Sequence, residues 1–99
     1  MKPNHDLNQK IKAKVKLPKQ YQVIMFNDDY TTMEFVVEVL TQIFNKSAAE
    51  AEKIMMDVHK AGHGVAGIYS YDIAMTKAGT AISWAKEEGF PFKLSVEEV

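Results

Sequence analysis

The chain has 99 residues, of which 46% are hydrophobic and 25% are charged, and its formal net charge is −1. These values describe one soluble globular domain and leave no material for a second hydrophobic core. The absence of cysteine excludes a disulfide scaffold and any thiolate metal site, and no apolar run has the length of a secretory signal or a membrane span.

The first predicted element is a basic arm, residues 1–19. It carries six lysines and one aspartate, whereas residues 20–99, the predicted core domain, carry six lysines and twelve acidic residues. Because the arm is rich in lysine and poor in apolar residues, it is predicted to be a flexible extension, although the alternating residues 11–17 also fit a transient edge strand. The chain lacks arginine, and no aromatic residue lies among these lysines, so nucleic acid is not expected as a partner.

The core domain begins with a predicted strand and helix. Residues 21–26 are rich in β-forming side chains and are followed by the turn-forming segment 27–29. Thr31 and Glu34 then have the spacing of a capping box, and apolar residues recur at helical intervals after them. The pattern predicts a strand, a tight turn and a helix in succession.

A second helix and a short strand are predicted next. Ser47 and Glu50 repeat the capping-box spacing, and Gly62 is suited to the left-handed conformation that follows a helix. Residues 62–67 contain three glycines, so the second strand is predicted to be limited to residues 68–69.

The last predicted elements are a third helix and an edge strand. Ser70 is placed to cap the helix, Gly89 to end it, and residues 90–96 alternate apolar and polar side chains after Pro91. The predicted order is β-α-α-β-α-β. Three strands cannot bury their apolar face alone, so the helices are expected to cover one side of a three-stranded antiparallel sheet, in a two-layer α/β sandwich.

The segment Asn27-Asp28-Asp29 admits more than one interpretation. Asn and Asp side chains bond nearby backbone amides at turns and favour helix N-termini, so the segment can be scaffold alone. Alternatively, two carboxylates and an amide oxygen form an acceptor cluster suited to a cation or an ammonium group. A metal is not expected, because hard cations require about six oxygen ligands and no spaced acidic loop follows.

His59 and the methionines also have two interpretations. His59 lies beside the predicted buried stripe of the second helix, near its C-terminal end, where a histidine is most often structural. Met33, Met55 and Met56 are either ordinary core residues or part of an adaptable apolar pocket. The chain has no cysteine nucleophile, no Gly-x-Ser-x-Gly sequence and no His-Glu-x-x-His spacing, so neither enzyme activity nor a cofactor is expected.

Three separated motifs together resemble the ClpS family of protease adaptors. They are Tyr21-x-Val23-Ile24 followed by Asn27-Asp28-Asp29-Tyr30-Thr31-x-Met33-Glu34-Phe35-Val36, then Ile54-Met55-x-x-Val58-His59, and Gly67-x-Tyr69. The resemblance implies the β-α-α-β-α-β fold that ClpS shares with the C-terminal domain of ribosomal protein L7/L12. An L7/L12-like interaction module without catalytic activity is the alternative.

The resemblance implies an adaptor that binds proteins through a free bulky N-terminal residue, an N-degron of Leu, Phe, Tyr or Trp. The adaptor would deliver these proteins to a Clp AAA+ unfoldase and its protease. The expected partners are the substrates and the N-terminal domain of ClpA or of a ClpC-type unfoldase, without nucleic acid or membrane. A monomer in the bacterial cytoplasm is expected.

The resemblance also implies which residues bind the α-ammonium group of the substrate. Asn27, Asp28 and His59 would accept its hydrogen bonds, Asp28 directly or through water. Asp29 would support this cluster, and Thr31 would hold the substrate backbone.

An apolar cavity for the substrate side chain is implied as well, and its lining would be Met33, Val36, Met55, Val58 and Phe92. Met33 would exclude β-branched side chains, and Phe92 at the floor would make the cavity shallow and favour Leu or Phe over Trp. On the third helix, Asp72 and Lys77 would contact the unfoldase, or else be ordinary charges of a solvated face.

Overall fold

The computed structural model describes residues 17–99, and the predicted basic arm lies outside the described residues except for its last three positions. The elements are, in chain order, β1 (Tyr21–Phe26), α1 (Met33–Gln42), α2 (Ala48–Ala61), β2 (His63–Tyr69), α3 (Tyr71–Glu87) and β3 (Lys93–Glu98). This order confirms the predicted β-α-α-β-α-β arrangement. None of the helices within residues 17–99 is both long enough and apolar enough to cross a bilayer.

The three strands form one antiparallel sheet in the order β2-β1-β3, so β1 is central and β3 is an edge strand, as predicted. Met25 of β1 lies opposite Gly64 of β2 and Leu94 of β3. Helix α2 contacts β2, α3 contacts all three strands, and α1 packs on α2. The helices therefore form the second layer of the predicted sandwich.

The core lies between these two layers. Val23 and Met25 of β1 and Val39 and Leu40 of α1 are completely buried. Helix α3 contributes four buried residues at helical spacing, all with small side chains that let the helix lie close to the sheet: Ala74, Ala78, Ala81 and Ala85. The central strand is thus held on both edges and packed against the helices, so the loop that follows it starts from a rigid position.

Strand β2 is longer than the sequence predicts. It begins at His63, so most of the glycine-rich stretch is strand and not loop. Gly64 and Gly67 each pair with a residue of β1, and this pairing overrides the low strand propensity of glycine. The register shifts within the pair of strands and leaves Ala66 as the extra residue of a β-bulge.

The start of α1 differs from the prediction by one residue. Thr32, and not Thr31, is the N-cap, because its hydroxyl oxygen accepts a hydrogen bond from the Phe35 amide at 3.1 Å. The side chain of Thr31 is bonded to Asp28 in the preceding turn. The predicted capping box of α2, by contrast, is present.

Candidate functional site

The loop between β1 and α1 forms one wall of a cavity of about 440 Å³, and α2 forms the opposite wall. The loop contributes residues 27–32 to the lining. The two helices contribute the side chains that complete it: Met33 and Val36 from α1, and Met55, Val58 and His59 from α2. The volume lies in the range of about 300–1,000 Å³ that is usual for small-ligand sites.

A backbone hydrogen bond holds the two walls together. The Asn27 amide donates to the Gly62 carbonyl at 2.9 Å, which continues the β1–β2 ladder past its last pair. Gly62 has φ 89°, the left-handed conformation that ends α2 as predicted, and its amide donates to the Val58 carbonyl at 3.0 Å. The first residue of the loop is therefore fixed next to the end of α2, where His59 lies.

Asp28 organises the loop through three hydrogen bonds. Its Oδ1 accepts from the amides of Tyr30 at 2.8 Å and Thr31 at 2.7 Å, and its Oδ2 accepts from the Thr31 hydroxyl at 2.6 Å. A carboxylate oxygen has two lone pairs, so Oδ1 is saturated and Oδ2 retains one acceptor position. Asp28 thus performs the turn chemistry of the scaffold interpretation and, counting bonds to residues 17–99, still has one free acceptor.

The environment of Asp28 favours its charged form. Burial raises the pKa of this carboxyl, but the hydrogen bonds from the Thr31 hydroxyl and from the Thr31 and Tyr30 amides outweigh burial, so the pKa lies below its ordinary value of 3.8. The hydrogen bonds to the Asp28 carboxylate therefore stabilise the folded protein fully above pH 3.8. This contribution is lost as the pH falls through the lowered pKa. Asp28 is therefore negatively charged at neutral pH.

Replacing Thr31 by valine is expected to raise the pKa of Asp28 toward its ordinary value. The substitution keeps the shape of the side chain and removes the hydroxyl that donates to Oδ2. NMR titration of the Asp28 carboxyl carbon measures the change. Thr41→Val is the control, because the Thr41 hydroxyl donates to the Glu38 carbonyl at 3.1 Å, at the other end of α1. A pKa that stays the same in Thr31→Val contradicts the stated role of the hydroxyl.

The other polar residues of the cavity have free hydrogen-bonding groups. Among residues 17–99, Asn27, Asp29 and His59 form no side-chain hydrogen bond with one another or with any other described residue, and all three are exposed. The amide oxygen of Asn27 and a neutral ring nitrogen of His59 are therefore acceptors open to a guest. Tyr30, which belongs to the same sequence motif, also lines the cavity, as does Thr32, which the sequence patterns did not single out as a site residue.

The apolar part of the cavity lies deeper than the polar part. Val36 and Val58 belong to the core and are only 5% and 3% exposed, whereas Met33 is 44% exposed and Met55 is half-buried. The two valines form the inner surface, and the more exposed Met33 lies nearer to solvent. The lining thus changes from hydrogen-bond acceptors to hydrocarbon within one cavity.

Phe92 is not among the lining residues of this cavity. It is 4% exposed and packs edge-on against Phe35 in the core, with 6.3 Å between the ring centroids. The position of Phe92 just before β3 directs its side chain between the sheet and the helices. The structure therefore places Phe92 in the core and not in the cavity lining, and the preference for Leu or Phe over Trp stays a prediction.

Asp72 and Lys77 lie on α3 and line a separate depression of about 290 Å³, together with Ile73 and Thr76. The Lys77 ammonium group donates to the carbonyl of Ile43 at 2.6 Å, and its nitrogen lies 5.3 Å from the centre of the Tyr69 ring. Ile43 is the C-cap of α1, where carbonyl groups lack helical partners and a positive charge is favourable. Lys77 is therefore bonded within the domain and is not an ordinary solvated charge.

Replacing Lys77 by methionine is expected to lower the free energy of unfolding by about 1–2 kcal/mol, because the substitution removes a charge-assisted hydrogen bond at a helix end. Urea unfolding followed by circular dichroism measures the effect. Lys53→Met, on the exposed face of α2, is the matched control and is expected to change stability by less than about 0.5 kcal/mol. Equal stability of the two variants contradicts the capping role of Lys77.

Comparison with known proteins identifies the family. The family described as "ATP-dependent Clp protease adaptor protein ClpS" matches residues 16–95. The ClpS adapter of Clostridium acetobutylicum is 52% identical over 99 residues, covering all of this chain and 98% of the relative. The ClpS adapter of Nitratidesulfovibrio vulgaris is 44% identical over 97 residues, covering 98% of this chain and 93% of the relative.

The solved structure of Agrobacterium tumefaciens ClpS2 bound to L-phenylalaninamide superimposes with a TM-score of 0.80 and 41% sequence identity. The match covers 84% of this chain and the whole of the other. The motifs, the fold and the relatives agree with one another. The chain belongs to the ClpS family, the adaptor proteins of the ATP-dependent Clp protease.

Proposed function

We propose that this adaptor binds proteins through a free N-terminal residue with a bulky hydrophobic side chain, Leu, Phe, Tyr or Trp, and delivers them to a Clp AAA+ unfoldase for degradation. One observation carries the proposal: the same cavity has hydrogen-bond acceptors at one end and buried valines at the other. A chain terminus with a large apolar side chain has the complementary arrangement of ammonium group and hydrocarbon.

The α-ammonium group would be bound by acceptors of the loop and α2. It is mostly protonated at pH 7 and offers three hydrogen-bond donors. Asn27 Oδ1, the free lone pair of Asp28 Oδ2 and a ring nitrogen of His59 would receive them, Asp28 directly or through water. Asp29 would add negative charge beside them. The Thr31 hydroxyl already donates to Asp28, so its oxygen would remain as an acceptor for the substrate backbone.

The substrate side chain would occupy the apolar part of the cavity, between Met33, Val36, Met55 and Val58. Met33 would exclude β-branched residues at the opening. Two charge-assisted hydrogen bonds and one buried side chain contribute about 5–9 kcal/mol before the cost of association is subtracted. We therefore expect an affinity of about micromolar for the first residue alone.

Two further observations support the proposal. The A. tumefaciens relative is bound to L-phenylalaninamide, a molecule that has an α-amine and a benzyl side chain. On α3, the depression that contains Asp72 and Lys77 offers a surface for the N-terminal domain of a ClpA- or ClpC-type unfoldase. Asp72 is exposed there, whereas Lys77 would have to serve the unfoldase and α1 together.

A fluorescence anisotropy panel of peptides that differ only in their first residue tests the proposal. We expect peptides that begin with Leu, Phe, Tyr or Trp to bind, and peptides that begin with Ala, Lys or Ile to bind at least about tenfold more weakly. Equal affinity for the Ala and Leu peptides overturns the proposal, because the apolar cavity would then have no role in selection.

A further inference from the structure

Gly64 of β2 faces α2 at a position where an added side chain would be crowded. A Cβ atom at this position would lie 3.0 Å from Val58 Cγ2 and 3.3 Å from the Ile54 carbonyl oxygen. Both distances are shorter than an ordinary van der Waals contact. The φ angle of Gly64 is not positive, so close packing is what favours glycine here, and not backbone conformation.

The contact partner of Gly64 is also a wall of the cavity. Val58 is the residue that an added Cβ at position 64 would approach most closely, and it also lines the cavity. The same helix carries Met55 and His59, which complete this wall. Any change in the spacing between β2 and α2 is therefore transmitted to the cavity, although Gly64 is not part of its lining.

The strand side of this contact cannot easily move away. Gly64 pairs with Met25 of the central strand, and Met25 is completely buried. On the helix side, the Ile54 carbonyl oxygen belongs to the backbone of α2, whereas Val58 Cγ2 belongs to a side chain. An added methyl group would thus displace the Val58 side chain or push α2 outward, and either shift changes the cavity wall.

We propose that Gly64 is a positioning residue that sets the width of the cavity by letting α2 lie against β2. The proposal rests on the function proposed above and adds a determinant of its selectivity. Without a side chain at position 64, Val58 stays withdrawn from the cavity and leaves space for the largest N-terminal side chains. Aromatic first residues depend on this space more than leucine does.

The test compares Gly64→Ala with the unsubstituted protein by anisotropy, using peptides that begin with Leu, Phe or Trp. We expect the aromatic peptides to lose about tenfold in affinity and the Leu peptide about threefold or less. Gly79→Ala is the matched control, because a Cβ at Gly79 on α3 meets no atom within 4 Å. It is expected to leave all three affinities unchanged. An unchanged ratio of aromatic to Leu affinity in Gly64→Ala overturns the inference.

Adding Val58→Ala to Gly64→Ala tests whether the effect passes through Val58. We expect the double variant to have the same ratio of aromatic to Leu affinity as Val58→Ala alone, because the Val58 methyl groups that Gly64→Ala would displace are absent. Failure of this rescue contradicts the route through Val58. If Gly64→Ala does not fold, the inference is tested with Val58→Ala alone. A higher affinity for the Trp peptide relative to the Leu peptide supports the inference, and an unchanged ratio of the two affinities overturns it.

The outcomes separate the two proposals. If the unsubstituted protein does not bind the Leu peptide, the proposed function fails, and the inference fails with it. If the unsubstituted protein binds the Leu peptide and Gly64→Ala leaves the selectivity intact, only the role of Gly64 is refuted.

Discussion

Replacing Asp28 by asparagine is expected to weaken binding of a Leu-initiated peptide about 10- to 100-fold, because a charge-assisted hydrogen bond to the ammonium group is lost. The fold should survive. Asparagine keeps an Oδ1 that accepts from the Tyr30 and Thr31 amides, and its NH₂ group can donate to the Thr31 hydroxyl. Anisotropy measures the affinity, and urea unfolding measures stability.

Two further variants test whether the weaker peptide binding of Asp28→Asn comes from the lost charge of this side chain. Asp57→Asn removes one negative charge from α2, which also carries His59, without altering the cavity lining, and it is expected to bind normally. Asp28→Ala removes the turn acceptors as well and should lower stability by about 1 kcal/mol in addition to losing binding. Normal binding by Asp28→Asn would show that Asp28 serves the turn alone.

Replacing Met33 by alanine is expected to admit β-branched first residues. Met33 lies at the more exposed end of the apolar lining, so its truncation widens the opening and leaves the buried valines in place. Peptides that begin with Ile or Val should then bind within about tenfold of the Leu peptide, whereas the unsubstituted protein should discriminate strongly against them. The same anisotropy panel measures the change.

Met75→Ala is the matched control for this substitution. Met75 lies on α3, outside the cavity lining, and its 46% exposure is close to the 44% exposure of Met33. Met75→Ala should leave the rejection of Ile and Val unchanged. If Met33→Ala still rejects them, the selection against β-branched residues arises deeper in the cavity, and the role assigned to Met33 is wrong.

Local sequence patterns predicted the elements well, and they failed where tertiary contacts decide. Thr31 and Glu34 have capping-box spacing, but Thr32 is the cap, because Asp28 uses the Thr31 hydroxyl in the turn. Gly64 lies in a strand because β1 pairs with it. Competing side-chain bonds and strand pairing leave no signature in the spacing of residues along one segment.

Contacts between distant segments were beyond the reach of sequence patterns. The bond from Lys77 to Ile43 joins residues 34 positions apart, and no motif connects them. The family resemblance, and not the alternating pattern, implied that Phe92 lines the cavity, whereas its ring packs on Phe35 in the core. An alternating apolar pattern indicates that a side chain is buried, but it does not indicate which cavity or core receives it.

The loop and His59 illustrate what the fold adds to the motif. Sequence alone allowed Asn27-Asp28-Asp29 to be either a turn or an acceptor cluster. Within the part of the chain that the structure describes, Asp28 makes the turn and keeps one free acceptor position, while Asn27 and His59 have unused acceptors. The bond from Asn27 to Gly62 holds these residues on facing walls. Turn and acceptor roles are therefore compatible in the same loop.

In the proposed function, the cavity recognises a free α-ammonium group together with a bulky side chain. The most direct measurement compares a Leu-initiated peptide with the same peptide acetylated at its α-amine, both titrated against this protein in a fluorescence anisotropy assay. Acetylation removes the positive charge and two of the three donors without altering the side chain. We expect micromolar binding of the free peptide and no detectable binding of the acetylated one, whereas equal affinity for both peptides would rule out recognition of the ammonium group.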